Sequence, residues 1–189
     1  MVDIDDKIYI QQVLDGNISS FTHLVNKYKR MVFTVCFRII KQREDAEDLA
    51  QVVFLKAFNN LHAFKGNSKF STWIYTIAYR TSISKSLVKK IETVSDDFHI
   101  EIAEDHSFPQ LEELKDQEQQ FYIQKAIEGL TEIEAVLITL YYMDECTILE
   151  IVEITGMSEA NVKVKLHRAR KQLKINLEEL LQHELQSII

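Results

Sequence analysis

Between Ser20 and Ile40 the residues Phe21, Leu24, Val25, Tyr28, Val32, Val35 and Ile39 recur at intervals of three and four. That spacing lays one apolar stripe along five turns of an α-helix, and the stripe must be buried against other elements. Ser19 or Ser20 is placed to cap its start. Punctuation is scarce, with four glycines and one proline in 189 residues, too few turns for a many-stranded sandwich or barrel. At 46% apolar and 27% charged residues, the composition is that of an ordinary globular chain. The expected fold class is all-α.

The net charge of -7 is unevenly spread. Residues 22–91 hold thirteen basic and four acidic groups, whereas residues 92–120 hold one basic and ten acidic. Asymmetry of this kind speaks to partners more than the total does. The acidic stretch also contains the sole proline, Pro109, and lacks a clear period, which reads as a charged, extended linker. The chain therefore divides into a small helical domain over 1–91, an acidic linker over 92–116 and a second small helical domain over 117–189.

In the first domain a second helix is expected from about Arg43. The carboxylates Glu44, Asp45, Glu47 and Asp48 in its first turns suit the helix dipole. Further along, Leu49, Val53 and Ala57 fill one face while Leu55 and Phe58 lie on another, beside Asp48 and Gln51. A helix apolar nearly all round must be buried or must meet a partner. A third helix is expected over about Phe70–Lys89, with Phe70, Trp73, Ile74, Ile77 and Thr81 inward and Tyr75 and Tyr79 on the opposite side. Before it runs the polar loop Lys65–Lys69, in which Gly66 and Asn67 tolerate backbone angles that other residues avoid. Three helices of this length can share one core in a bundle of three to four helices.

In the second domain, Gly129 closes one helix and Thr131 with Glu134 forms a capping box for the next. Thr147 can cap a short helix, Gly156 can supply the left-handed turn that ends it, and Ser158 can cap a longer one. A short helix, a glycine turn and a long basic helix spell a helix-turn-helix. On the last helix Val162, Leu166, Ala169 and Leu173 share one face. Between Ala160 and Leu177 there are six Lys or Arg and no acid.

Such a surface suits phosphates, and Arg168, Asn161 and Val164 are the kinds of side chain that read guanine, adenine and thymine edges. The plain alternative is a helix whose lysines only keep it soluble. In the first domain, Trp73, Tyr75 and Tyr79 near Lys65, Lys69, Arg80 and Lys85 combine aromatic faces with cations, a recipe for unstacked single strands. Trp73 sits at the edge of the core stripe, so packing is an equal reading for it.

Catalysis finds no footing. The carboxylate pairs lie at a helix start or in the linker, His23, His62 and His183 have no Cys or carboxylate at metal-ligand spacing, and a phosphate-binding glycine loop is absent. No catalytic residue, metal or cofactor is expected. Cys36 and Cys146 stand far apart without a CxxC, so neither a disulfide framework nor a zinc knuckle is indicated. With no secretory signal and no apolar run near the ~18 residues of a membrane span, a cytoplasmic protein that does not insert in membranes is expected.

The segments FTHLVNKYKRMVFTVCFRI, DAEDLAQVVFLKAF, FKGNSKFSTWIYTIA and GMSEANVKVKLHRARKQL resemble, in order, regions two and four of bacterial RNA polymerase sigma factors of the extracytoplasmic-function class. The resemblance covers roughly residues 20–90 and 120–180 and implies a promoter-specificity subunit. It places core polymerase on Asp45, Asp48, Gln51, Leu55 and Phe58. It places the -10 element on Lys65, Asn67, Ser68, Lys69 and Trp73, with the loop capturing a flipped base and Trp73 at the upstream edge of the bubble, and the aromatic and basic pattern noted above adds Tyr75, Tyr79 and Arg80 to that surface. It places the -35 element on Asn161, Lys163, Val164, Lys165, His167, Arg168 and Lys171. The implied partners are RNA polymerase core, promoter DNA and an anti-sigma factor. A free-standing helix-turn-helix regulator is the competing reading. The chain departs from the family pattern at Tyr79 and Arg80, at Ser84, at Ala160 and Asn161, and at Val164, positions that bear on promoter sequence.

Overall fold

The computed structural model describes residues 4–91 and 116–187. Their elements are α1 (Ile4–Leu14), α2 (Phe21–Ile40), α3 (Arg43–Asn59), α4 (Phe70–Ile91), α5 (Asp116–Glu128), α6 (Glu132–Ile138), α7 (Ile148–Thr155) and α8 (Glu159–Ser187), with short 3-10 turns at Ile18–Ser20 and Leu61–Ala63 and a π-helical turn at Thr139–Met143. The fold is all-α, as the spacing of apolar residues requires. The expected linker falls almost entirely outside the described residues.

In the first half α2 is the central helix. Leu24, Val32, Val35, Cys36 and Ile39 on its stripe are buried, and it packs on both α3 and α4. Helix α3 contributes Ala46, Leu49, Ala50, Val53 and Ala57, while α4 contributes Phe70, Ile74 and Ala78. Burying a side chain of Leu or Ile size contributes about 1.5–3 kcal/mol, so each of these residues stabilises the bundle appreciably. One expectation needs correction. Ser20 is the N-cap of α2, but its side chain makes no capping bond; the hydroxyl donates instead to Gln12 Oε1 at 2.7 Å. That bond belongs to α1, a helix the sequence pattern does not announce. Helix α1 is held by Asp6, which is 1% exposed and accepts from Tyr28 Oη at 2.6 Å and Lys27 Nζ at 2.8 Å.

In the second half α5 and α6 pack on α8, and α7 joins α8 through the glycine turn. Both capping boxes form, Thr131 with Glu134 and Thr147 with Glu150. Gly156 takes φ 72° and ends α7, and the Ser158 hydroxyl accepts from the Asn161 backbone at 3.3 Å. Gly129 has a different reason to be glycine, because a Cβ there would stand 2.6 Å from Asn176 Nδ2, which donates to Ala126 O at 2.8 Å.

The halves touch. Helix α2 packs on α6 and α4 packs on α7, so buried side chains from Ile10 to Leu177 form one continuous cluster. Arg38, only 4% exposed, is the anchor. Its Nε donates to Thr139 Oγ1 at 3.3 Å and its Nη2 donates to Gln124 Oε1.

Candidate nucleic-acid and polymerase interfaces

The outer face of α3 is set by the helical period. Because Ala46, Leu49, Ala50, Val53 and Ala57 point inward, Asp48, Gln51, Val52 and Leu55 are left outside. Leu55 is 62% exposed and Val52 40%, a large apolar surface in water beside a carboxylate and an amide. The other two residues expected on this face sit differently. Phe58 is half-buried and meets Phe21 edge-on with ring centroids 5.2 Å apart. Asp45 turns toward α4, where Lys85 Nζ lies 3.5 Å away.

The loop before α4 exposes Lys65, Asn67 and Lys69, with Ser68 half-buried. Gly66 has φ 72°, the left-handed conformation that glycine adopts at least cost. Trp73 is half-buried, packed against Phe64 at 5.3 Å and Phe70 at 5.5 Å between ring centroids. Arg80 is exposed. Tyr75 and Tyr79 are not outward: they are 2% and 7% exposed. Helix α4 is covered on two sides, by α2 and α3 within its own half and by α7 from the other, so its second face is buried too. Burial raises the phenol of Tyr79 above its ordinary range and, with Asp144 as an added cause, raises that of Tyr75 further.

On α8, Val162, Leu166, Ala169 and Leu173 are buried as the pattern requires. Asn161, Lys163, Val164, Arg168 and Lys171 are exposed on the other side, and Lys165 and His167 are half-buried. Lys163 pairs with Glu159 one turn back at 2.6 Å. Arg170 leaves this face, its guanidinium lying 5.6 and 5.8 Å from the ring centroids of Tyr141 and Tyr142.

The sequence pattern does not reveal a polar cluster where α7 meets α4. Lys69 Nζ contacts Glu150 Oε1 at 2.8 Å, the Tyr75 hydroxyl donates to Asp144, and Cys146 Sγ lies 3.8 Å from Asp144 Oδ2. Burial and the Asp144 carboxylate push the Cys146 thiol up to about 12. Burial likewise raises the Asp144 carboxyl. Burial works against the Glu150 carboxylate too, but the Lys69 ammonium and the Thr147 donors outweigh it and hold that carboxyl below its ordinary range. Both cysteines are free and buried. Among the described residues no cluster of potential metal ligands occurs, and no helix is long and apolar enough to cross a membrane.

Two family models match the chain, Sigma-70 region 2 over residues 24–88 and Sigma-70, region 4 over residues 120–173. Over 180 residues the chain is 32% identical to the ECF RNA polymerase sigma factor SigW of Bacillus subtilis (strain 168), covering 90% of this chain and 96% of that protein. The chain belongs to the extracytoplasmic-function sigma factors. It is also 34% identical over 170 residues to the RNA polymerase sigma factor YlaC of the same organism, covering 84% of this chain and 92% of that one. Among solved structures, CnrH in complex with the cytosolic domain of CnrY aligns with a TM-score of 0.65 at 18% identity, over 93% of this chain and 98% of that one. That likeness concerns the fold. As a sigma factor the chain is a promoter-specificity subunit acting in transcription initiation. A free-standing helix-turn-helix regulator would call for the second half alone, and the family likeness spans both halves.

Proposed function

We propose that this sigma factor binds RNA polymerase core through the outer face of α3 and directs it to a two-part promoter. Asp48, Gln51 and Leu55 make the contact, with Asp45 and Phe58 at its margin. Residues Lys65, Asn67, Ser68 and Lys69, with Trp73 and Arg80, take the -10 element as a melted strand, and the buried Tyr75 and Tyr79 support that surface from beneath. Asn161, Lys163, Val164, Lys165, His167, Arg168 and Lys171 take the -35 element as duplex. The chain catalyses no reaction of its own, because base capture and stacking can offset the few kcal/mol needed to unstack each step. It works in the cytoplasm, and an anti-sigma factor holds it in reserve. The solved structure of the sigma factor RpoE in complex with the anti-sigma factor NepR from Bartonella quintana, which aligns with a TM-score of 0.60 at 19% identity, supports a partner of that class.

The observation that carries the reading is Leu55, 62% exposed between Asp48 and Gln51 on a helix whose inner face is already filled. An apolar side chain so placed suits a partner surface. Leu55→Asp is expected to weaken co-elution with purified core at least tenfold while the helical circular dichroism stays unchanged. Undiminished co-elution would remove α3 from the interface.

A further inference from the structure

The second half contains an apolar groove that neither the DNA surfaces nor the outer face of α3 uses. It is a cavity of about 330 Å³ between α5, the π-helical turn and α8. Ile123 and Ile127 of α5, Ile138 at the end of α6, and Leu173 and Leu177 of α8 form its walls. Tyr142 and Met143 of the π-helical turn also line it and are 53% and 41% exposed, so the groove is open to water. Turns of this kind recur at functional sites. A single charged side chain, Arg170, completes the lining.

Arg170 is the feature that points to a ligand. Its guanidinium is fixed against two aromatic rings, 5.6 and 5.8 Å from the centroids of Tyr141 and Tyr142. Its Nε is nevertheless buried without a hydrogen-bond partner, and among the described residues no carboxylate pairs with it. A buried donor on a charged group is costly to leave unsatisfied. One guanidinium matches one carboxylate as a bidentate fork. The walls bring no second cation to balance a phosphate and, apart from the Tyr142 phenol, no hydroxyl or amide to recognise a sugar or a peptide. What they offer is aliphatic surface, in a volume at the small end of the ~300–1,000 Å³ typical of small-molecule sites.

We propose that this groove binds a free medium-chain fatty carboxylate, with its head on Arg170 and its alkyl chain between α5 and α8. Asn161, Lys163, Val164, Arg168 and Lys171 do not line the groove, so an occupied site leaves the face assigned to the -35 element uncovered. The ligand ties α5, the π-helical turn and α8 together and stabilises the folded chain by mass action.

The test is isothermal titration calorimetry of the full-length chain with sodium octanoate, sodium decanoate and 1-octanol, each below the concentration at which it aggregates. Decanoate is expected to saturate one site, and affinity to rise about fourfold for each methylene added between the two carboxylates. Arg170→Gln is expected to weaken decanoate about tenfold or more and to leave 1-octanol unchanged, which also shows that the groove is intact. Ile123→Trp, which fills the groove from a half-buried position, is expected to abolish both while the helical circular dichroism persists. Absence of saturable binding by decanoate, or equal decanoate affinity in either variant, would overturn the proposal. Three further results would assign the groove to another occupant and overturn it as well. They are a dimer of the chain alone that Ile123→Trp dissociates, capture by phosphatidylglycerol vesicles that Arg170→Gln abolishes, and an acidic amphipathic peptide helix that binds more tightly than decanoate and is lost in Ile123→Trp.

Discussion

Asp6 shows how one side chain fixes an element. A carboxylate that is 1% exposed is tolerated because Tyr28 and Lys27 both donate to it, and an unpaired buried charge would be far more costly. Burial and the Asp6 contact raise the Tyr28 phenol well above its ordinary range, so that hydroxyl stays a donor at every physiological pH. Tyr28→Phe is expected to cost about 1–2 kcal/mol in urea unfolding, with the loss traced to α1; unchanged stability would show that the Tyr28–Asp6 bond does not hold α1. Two other carboxylates give opposite pH dependence. Glu150 is held below its ordinary value of 4.5, so its contribution is present above that value and is lost as the pH falls through its lower, folded value. Asp144 is raised above 3.8, so its buried charge burdens the fold at neutral pH and the burden lifts on acidification. In Glu150→Gln only the second effect remains. Relative to wild type, the variant is expected to gain stability as the pH is lowered from 7 to 4, measured by thermal unfolding. A constant difference over that range would contradict the Lys69 pairing.

Among the helices, legibility followed how locally each is determined. Helices α2 and α3 could be placed from apolar spacing because each has one inward face, and α7 and α8 from capping because Thr147, Gly156 and Ser158 act within a turn of where they stand. Helix α1 escaped because its main tie joins Asp6 to Tyr28, 22 positions away. The inward face of α4 is wider than its own stripe indicates: Tyr75 meets Tyr28 of α2 with ring centroids 6.2 Å apart and reaches Asp144 of the far half through its hydroxyl, a neighbour that a single-sequence stripe cannot show. The polar contacts of Arg38 were equally hidden, although a guanidinium between Phe37 and Ile39 on an apolar stripe is the kind of anomaly that marks a second neighbour. Of the candidate site residues on α3, Asp48, Gln51 and Leu55 lie outward as periodicity indicates, whereas Phe58 packs on Phe21 and Asp45 faces Lys85. For α8 the reading is sharp. Arg168→Ala is expected to weaken binding to its selected -35 duplex by about 1–3 kcal/mol and to relax preference at one position, whereas Lys171→Ala weakens all duplexes alike and lowers the salt slope by about one. Equal losses from Arg168→Ala on selected and unrelated duplexes would reassign it to phosphate.

Across the whole molecule, the net charge of -7 conceals a basic first half and the acidic stretch that follows it. The family likeness spans both halves, and the two are packed together through α4 with α7 and α2 with α6. The most direct measurement is run-off transcription by purified core on DNA selected with the reconstituted holoenzyme, with and without this chain. Discrete transcripts from a single start point that appear only when the chain is added are the expected result. Core that gives the same transcripts in its absence, or none in its presence, would contradict the account.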